Sequence, residues 1–341
     1  MLIGKEIKKV FPYFNKIITA TQKEKSLMEV KVVRGQLIFT LLESASLSII
    51  YTISTDINDF NGLLFDYKTL ASAFSKVKAK DEVEITRDEH RLKICVNDEE
   101  KYVVSTSEST VTGTKIEFIC ETTEYNLLKS IEENKVFSSR GSMEYNDNLF
   151  FSLKDDTLNI YNTNDIAMVL NSIKVENAKG DFTFAISNDD VSTVYKWINA
   201  IKNLKIEIAL SDTFVFFKTK NEALKLSRTQ AHNFNAIIKN FENVSNVKLN
   251  MVNEEKLINV KKSIFEEANK LDKENNILVL GSDFKNHDEN KISLAKKLFV
   301  ETIKSVSEDS IIGLIDNPLK PILITNVEEG LNHKIIFNTI N

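Results

Sequence analysis

The sequence has few of the residues that build reaction centres. Its 341 residues include only two cysteines, four histidines and nine glycines. Cys95 and Cys120 lie in strand-like runs, Lys93 to Val96 and Glu117 to Cys120, and read as small buried hydrophobes. No disulfide framework or zinc site is expected from them. His90, His232, His287 and His333 are scattered, and neither His-x-x-x-His nor Cys-x-x-Cys spacing occurs, so nothing organises a metal ion. Gly281-Ser282-Asp283 follows an apolar run, yet no glycine-rich loop with Lys-Ser or Lys-Thr comes after it and Gly-x-Ser-x-Gly is missing. Nucleotide hydrolysis and serine esterase chemistry therefore lack their mechanical parts. The acidic run Asp81-Glu82-Val83-Glu84 sits in a turn beside a strand and reads as a solvated edge, not as an acid–base pair. No catalytic residue, metal or cofactor is assigned.

Long apolar runs are also missing. None approaches the roughly 18 uninterrupted residues of a membrane span, and Lys5, Lys8 and Lys9 are interleaved with apolar residues, unlike a secretory signal. The expectation is a cytoplasmic protein that does not enter a membrane. An excess of positive charge is missing too, since the formal charge is −5. This excludes a uniformly basic nucleic-acid binder but not charge gathered onto one face. At 42% hydrophobic and 27% charged residues, the chain can bury two or three globular cores.

What the sequence does contain is a repeat. An apolar strand, a helix of about three turns and three short strands recur in that order. The first copy has a strand at Gly62 to Phe65, a helix at Tyr67 to Val77, and strands at Val83 to Ile85, Leu92 to Val96 and Tyr102 to Val104. The second has Phe182 to Ile186, a helix at Asp189 to Lys202, and strands at Ile206 to Leu210, Phe214 to Lys218 and Leu224 to Leu226. The third has Lys291 to Ser293, a helix at Leu294 to Val306, and strands at Ile311 to Ile315, Pro321 to Thr325 and Lys334 to Phe337. Another helix precedes each copy: Lys5 to Ile17, Glu124 to Phe137 and Glu254 to Lys270. Their apolar residues, such as Ile7, Val10, Phe11, Phe14 and Ile17, follow the helical period. Ser187 and Asp190 have capping-box spacing, Glu254 and Glu255 are read as first-turn acids, and Pro12 is expected to kink the first helix. Amphipathic helices paired with half-buried strands predict an α+β architecture with helices on one side of the sheets.

Lysines concentrate on those helices. Counting Lys against Asp and Glu, the six carry +3, +2, −1, 0, 0 and +2, which leaves −11 for the rest of the chain. Such a surface, with Lys but no Arg forks or interleaved aromatics, suits phosphate contacts that do not read bases. The candidate DNA-binding residues are Lys5, Lys8, Lys9, Lys76, Lys129, Lys196, Lys202, Lys261, Lys297 and Lys304.

Three local runs then bring a family into view. They are Ser138-Ser139-Arg140 leading into a strand pair, Leu158-Asn159-Ile160-Tyr161-Asn162-Thr163-Asn164-Asp165, and Lys320-Pro321-Ile322-Leu323-Ile324. In this order the chain resembles the bacterial-type β sliding clamp, a processivity factor of DNA replication. The resemblance spans nearly the whole chain. It implies three similar clamp domains, at 1–112, 113–243 and 244–341, with helices lining an inner face and antiparallel sheets outside. It further implies a non-enzymatic protein that encircles double-stranded DNA without sequence specificity, works with a DNA polymerase and a clamp loader, and forms a homodimer. By alignment it places a partner-peptide pocket at Arg140, Met143, Thr163, Asn164, Ile166, Met168, Ile237, Ile335, Phe337, Thr339 and Ile340, with Phe337 and Ile340 on an exposed tail.

Two features depart from the family pattern. The tail ends Phe337-Asn338-Thr339-Ile340-Asn341 instead of in a Met-Pro-x-Arg-Leu-like sequence. The stretch between paired helices is 49 residues in the first domain and 51 in the second but only 23 in the third, so about two strands are expected to be missing there. Two other classes remain open on the residues alone. One is a regulatory or structural interaction protein built on the same repeats. The other is an enzyme that uses Lys8, Lys9 and Lys76 as anion ligands for a phosphorylated substrate.

Overall fold

The structure is a computed structural model of the chain. It describes residues 2–109, 115–137, 147–164, 166–201, 204–229, 251–270, 276–284, 291–316, 321–328 and 330–338.

The chain begins with β1 (Leu2–Ile3), α1 (Gly4–Ile17), the short α2 (Ala20–Lys25), β2 (Leu27–Val33), β3 (Gln36–Leu42), β4 (Leu47–Ser54) and β5 (Phe60–Asp66). Next come α3 (Tyr67–Phe74), β6 (Glu82–Asp88), β7 (Arg91–Val96), β8 (Glu99–Val104) and β9 (Ser107–Glu108). The middle of the chain repeats this order with β10 (Glu117–Thr123), α4 (Glu124–Lys135), β11 (Asn148–Lys154), β12 (Thr157–Thr163), β13 (Ala167–Lys174), β14 (Phe182–Ser187), α5 (Asn188–Ile201), β15 (Lys205–Leu210), β16 (Phe214–Lys218) and β17 (Glu222–Ser227). The last part has β18 (Met251–Lys256), α6 (Leu257–Lys270), β19 (Ile277–Leu280), β20 (Ile292–Ala295), α7 (Lys296–Ser305), β21 (Ile311–Ile315), β22 (Ile322–Glu328) and β23 (Leu331–Phe337). The repeat expected from the sequence is therefore present. Between α1 and α3, and between α4 and α5, four strands intervene, whereas between α6 and α7 the described residues hold only β19 and β20.

Three local expectations need correction. Glu254 and Glu255 do not open a helix; they lie in β18, which pairs with β21 across a bulge. The first amides of α6 instead find backbone carbonyls, Leu257 N donating to Ser310 O at 2.8 Å and Ile258 N to Glu308 O at 3.1 Å. Those bonds satisfy orphan donors that an acidic first turn would otherwise stabilise. Next, α3 stops at Phe74, so Lys76 lies in the following turn and not on a helix. Finally, Ser187 caps α5 by accepting from Asp189 N at 3.2 Å, one residue earlier than a capping box would place the bond. Pro12 lies on the exposed side of α1, and the helix continues past it.

The chain forms two compact units, each described here by itself. The first comprises Met1–Glu124 and Lys196–Ser227. It holds a nine-stranded sheet in the order β10-β15-β16-β17-β4-β3-β2-β5-β9 and a four-stranded sheet in the order β1-β6-β7-β8. The apolar stripe of α1 supplies Ile7, Val10, Phe11, Phe14 and Ile17, all buried. Phe11 packs edge-on to Phe39 at 6.3 Å and stacks on Phe74 at 5.6 Å. Tyr13 also turns inward, where its hydroxyl accepts from Trp197 Nε1 at 2.7 Å. Burial pushes that hydroxyl well above the usual tyrosine range. Cys120 is fully buried on β10, and burial raises its thiol to about 12, in keeping with a packing role.

The second unit comprises Tyr125–Tyr195 and Arg228–Asn341. Its main sheet runs β14-β11-β12-β13-β23-β22-β21-β18, and β19 and β20 form a separate two-stranded sheet. One core cluster gathers Phe137, Val169, Leu257, Val260, Ile264, Leu278, Phe299, Ile303, Ile324, Ile335 and Phe337, drawn from α6, α7, both sheets and the turn after α4. Fully burying side chains of this size is worth about 1.5–3 kcal/mol each.

Candidate nucleic-acid interface and partner surface

The helical period explains how α1 presents its lysines. With residues 7, 10, 11, 14 and 17 turned into the core, Lys5, Lys8, Lys9 and Lys16 are left on the exposed side. Lys9 is engaged by Glu6 on the same helix at 3.0 Å, whereas Lys5, Lys8 and Lys16 have no acidic partner within salt-bridge distance among the described residues. Lys16 was not singled out from the sequence. The spacing 5, 9, 12, 16 would have found it, because those positions share one stripe of a helix.

The remaining candidates differ in availability. Lys297 and Lys304 are exposed on α7, Lys304 lying 6.0 Å from the Phe265 ring. Lys76 is exposed in the turn after α3, and Lys196 is half-buried on α5. Lys129 is half-buried and donates to Ser305 O at 3.1 Å, while Lys261 pairs with Glu308 at 2.9 Å. These last two already have partners, so engaging phosphate would cost them existing contacts. Lys262, the neighbour of Lys261, is 87% exposed with only Glu266 at 3.8 Å and is the freer cation on α6. Lys202 lies outside the described residues. Over the observed bounds, α1, α3, α4, α5, α6 and α7 carry +3, +1, −1, −1, +1 and +2, a net +5. One acid in the α5 count, Asp190, is raised by burial and by neighbouring Asp189.

The described candidates for the pocket lie along the β12–β13 turn, β13 and the end of β23 in the second unit, on both faces of the sheet. The turn from β12 to β13 is fixed by its own polar groups. Thr163 Oγ1 donates to Ala167 O at 3.1 Å, and Asn164 Oδ1 accepts from Ile166 N at 3.0 Å and Ala167 N at 2.8 Å. The tail is tied to this turn, since Asn338 N donates to Ile166 O at 2.9 Å. Sheet register then sorts the apolar side chains. Ala167 pairs with Phe337, Met168 with Ile336 and Val169 with Ile335. Paired residues of an antiparallel ladder point to the same face, so Phe337 and Ile335 share the core face with Ala167 and Val169.

The exposed tail position expected of Phe337 is therefore overturned. It is fully buried, with ring centroids 6.1 Å from Phe137 and 5.1 Å from Phe299. Met168 and Leu170 face the other way, half-buried beside Phe150, Tyr161 and Ala185. Ile336, also half-buried, belongs on that face, and the sequence reading missed it because three consecutive apolar residues hide the period of two. Arg140, Met143, Ile237, Thr339 and Ile340 lie outside the described residues.

No family model matches this sequence, and no curated protein matches it. Solved structures do. A DNA polymerase sliding clamp from Pseudomonas aeruginosa superposes with a TM-score of 0.72 at 8% identity, covering 100% of this chain and 98% of that one. A sliding clamp from Caulobacter crescentus gives 0.71 at 11% identity with the same coverage. A candidate DNA polymerase III beta subunit from Eubacterium rectale gives 0.73 at 13% identity, covering 99% and 98%. The fold is that of the DNA sliding clamps. Clamp architecture survives such low identity because it asks for apolar volume at periodic positions, which many sequences can supply.

The interior of this clamp fold also holds a polar group that resembles a catalytic pair. Glu133 and His333 are 0% and 2% exposed, with Nδ1 3.2 Å from Oε1, and Asn171 Nδ2 donates to Glu133 Oε2 at 2.6 Å. The pair is enclosed between α4, β13 and β23, so no substrate can reach it. It lies where the ladders of β13 and β23 meet, with His333 Nε2 3.5 Å from Ser310 Oγ. Among the described residues no His, Cys, Asp and Glu cluster suits a metal ion, and no helix is long and apolar enough to cross a membrane.

Proposed function

We propose that this protein is a DNA sliding clamp, a non-enzymatic ring component that surrounds duplex DNA and tethers a replicative polymerase. The observation that carries this reading is the likeness of the whole chain to sliding clamps over 98% of their length. A shared module would cover only part of them. The exposed lysines of α1 and α7 supply cations without base-reading side chains, which suits sequence-independent contact with phosphates. The domains are assigned to 1–112, 113–243 and 244–341, and the ring to two copies of the chain, loaded by a clamp loader in the cytoplasm.

The partner-peptide site is assigned to the half-buried face of Met168, Leu170 and Ile336 beside Phe150 and Tyr161, with the Thr163–Ile166 turn as its polar rim. A half-buried apolar face bounded by fixed backbone groups fits a short apolar peptide from the polymerase.

The deciding experiment is primer extension on singly primed circular DNA with a cognate polymerase and loader. Addition of this protein is expected to lengthen the products formed in one binding event. Unchanged product length in the presence of active loader rejects the function.

A further inference from the structure

The two long sheets are built alike, and each turns one face away from its helices. The order β5-β2-β3-β4-β17-β16-β15-β10 in the first unit matches β14-β11-β12-β13-β23-β22-β21-β18 in the second, strand for strand. In the second unit the face turned from the core holds Met168, Leu170 and Ile336, all half-buried. The corresponding strands of the first unit are β4 and β17, where Ser48 stands opposite Lys225 and Ile50 opposite Ala223. Ile49 and Tyr51 alternate with these on β4 and are buried, the Tyr51 ring 5.2 Å from Tyr13 of α1. Ser48, Ile50, Ala223 and Lys225 therefore lie on the face away from α1.

That face is apolar with one cation set into it. Leu42 pairs with Ser48 on one side, and Phe216 pairs with Lys225 on the other. Leu42, Ile50 and Phe214 are half-buried, like their counterparts in the second unit. Phe214 packs edge-on to Phe216 at 6.5 Å, and its ring centroid lies 3.7 Å from Lys225 Nζ. Lys225 is itself half-buried and has no carboxylate within salt-bridge distance among the described residues. Lys31, on the same face, differs in this respect, since Glu29 holds it at 2.8 Å. Burial first, and then the charge of Lys31, push the Lys225 amine below the ordinary lysine range. An ammonium half-buried among apolar groups without a counter-ion is stabilised by a carboxylate that brings its own apolar flanks.

We propose that this face of the first unit is a docking surface for an extended segment of a partner protein in which apolar side chains flank an Asp or Glu. The carboxylate pairs with Lys225, and the flanking side chains cover Leu42, Ile50 and Phe214. Charge complementarity selects the acidic segment, because Lys225 is the cation on this face that no acid of the described chain engages. The surface depends on the sheet geometry alone and goes beyond the sliding-clamp reading, so its failure leaves that reading standing.

The test is fluorescence anisotropy with the full-length protein carrying Met168→Glu, which removes the second-unit face. The probe is a labelled peptide Gly-Phe-Leu-Glu-Leu-Gly, blocked at both ends, and the comparison is the same peptide with Gln in place of Glu. The Glu peptide is expected to bind about tenfold tighter or more. Lys225→Met, which keeps the apolar stem, is expected to erase that difference, and Ile50→Gln to weaken both peptides. Circular dichroism checks each variant, and Lys225→Gln repeats the measurement should Lys225→Met misfold. Equal affinity for the two peptides, a Glu preference that survives loss of the Lys225 charge, affinities indifferent to Ile50→Gln, or no binding at millimolar peptide each overturns the surface.

Discussion

Replacing Lys5, Lys8 and Lys16 together with Gln asks whether the exposed side of α1 contacts phosphate. The three lysines have no acidic partner within salt-bridge distance among the described residues, unlike Lys9, which Glu6 holds at 3.0 Å. Each lysine that neutralises one phosphate contributes about 0.9 to the slope of log affinity against log salt, so removing three flattens that slope by up to about 2.7. Between 50 and 200 mM salt the unsubstituted protein should then lose about 40-fold more affinity than the variant. Folding should be unaffected, because all three positions lie outside the core. The assay is salt-dependent dissociation of loaded protein from closed circular DNA, with Lys154→Gln, on the β11–β12 hairpin, as a control at an exposed site of the same charge. A slope that changes by less than one unit, or that changes equally in the control, refutes the assignment of α1 to the DNA-facing surface.

Phe337→Ala is expected to destabilise the second unit by about 3–5 kcal/mol in urea titration, as a fully buried ring leaving a cavity should. A loss below about 1 kcal/mol would mean the ring is exposed, as first expected of it. Tyr13→Phe leaves the indole N–H of Trp197 buried without its acceptor and should cost about 1–3 kcal/mol. Trp197 is the only tryptophan, so its fluorescence follows the unfolding directly, and an unshifted midpoint would show that bond to be unimportant. Asp81 is held below the usual carboxylate range, first by the backbone N–H of Lys78 and then by Asn97. Because its folded value lies below the unfolded one near about 3.9, it stabilises the fold at neutral pH and loses that contribution as pH falls through the folded value. Asp81→Asn should therefore flatten the acid limb of a stability–pH profile, and an unchanged limb would refute that role. Met168→Glu should abolish capture of a short apolar polymerase peptide in a binding titration while melting stays near that of the unsubstituted protein. Retained binding would move the partner site elsewhere.

The repeat, its element order and the shortened third stretch were legible in the sequence, because helical and strand periods are set by which side chains must leave water. The lysine stripe of α1 was legible for the same reason, although Lys16 required reading the exposed positions by period and not by local clustering. Element ends were less accessible. Glu254 and Glu255 look like a helix start until β21 offers them a ladder, and Leu294 and Ala295 look helical until β19 pairs with β20. Pairing with a strand elsewhere in the chain decides such cases, and propensity does not.

The apolar tail shows the division most clearly. Ile335, Ile336 and Phe337 are alike in hydrophobicity, so the sequence by itself determined only that this segment seeks burial. Which two face the core and which one faces the opposite side of the sheet was decided by register against β13, where Ala167 meets Phe337 and Met168 meets Ile336. Likewise, periodicity placed the ten candidate lysines on expected helices, but only tertiary packing decided that Lys129 and Lys261 are engaged while Lys5, Lys8 and Lys16 project into solvent. Periodicity is a local property that the chain carries wherever it goes. Facing and availability arise only when distant segments take up the neighbouring space.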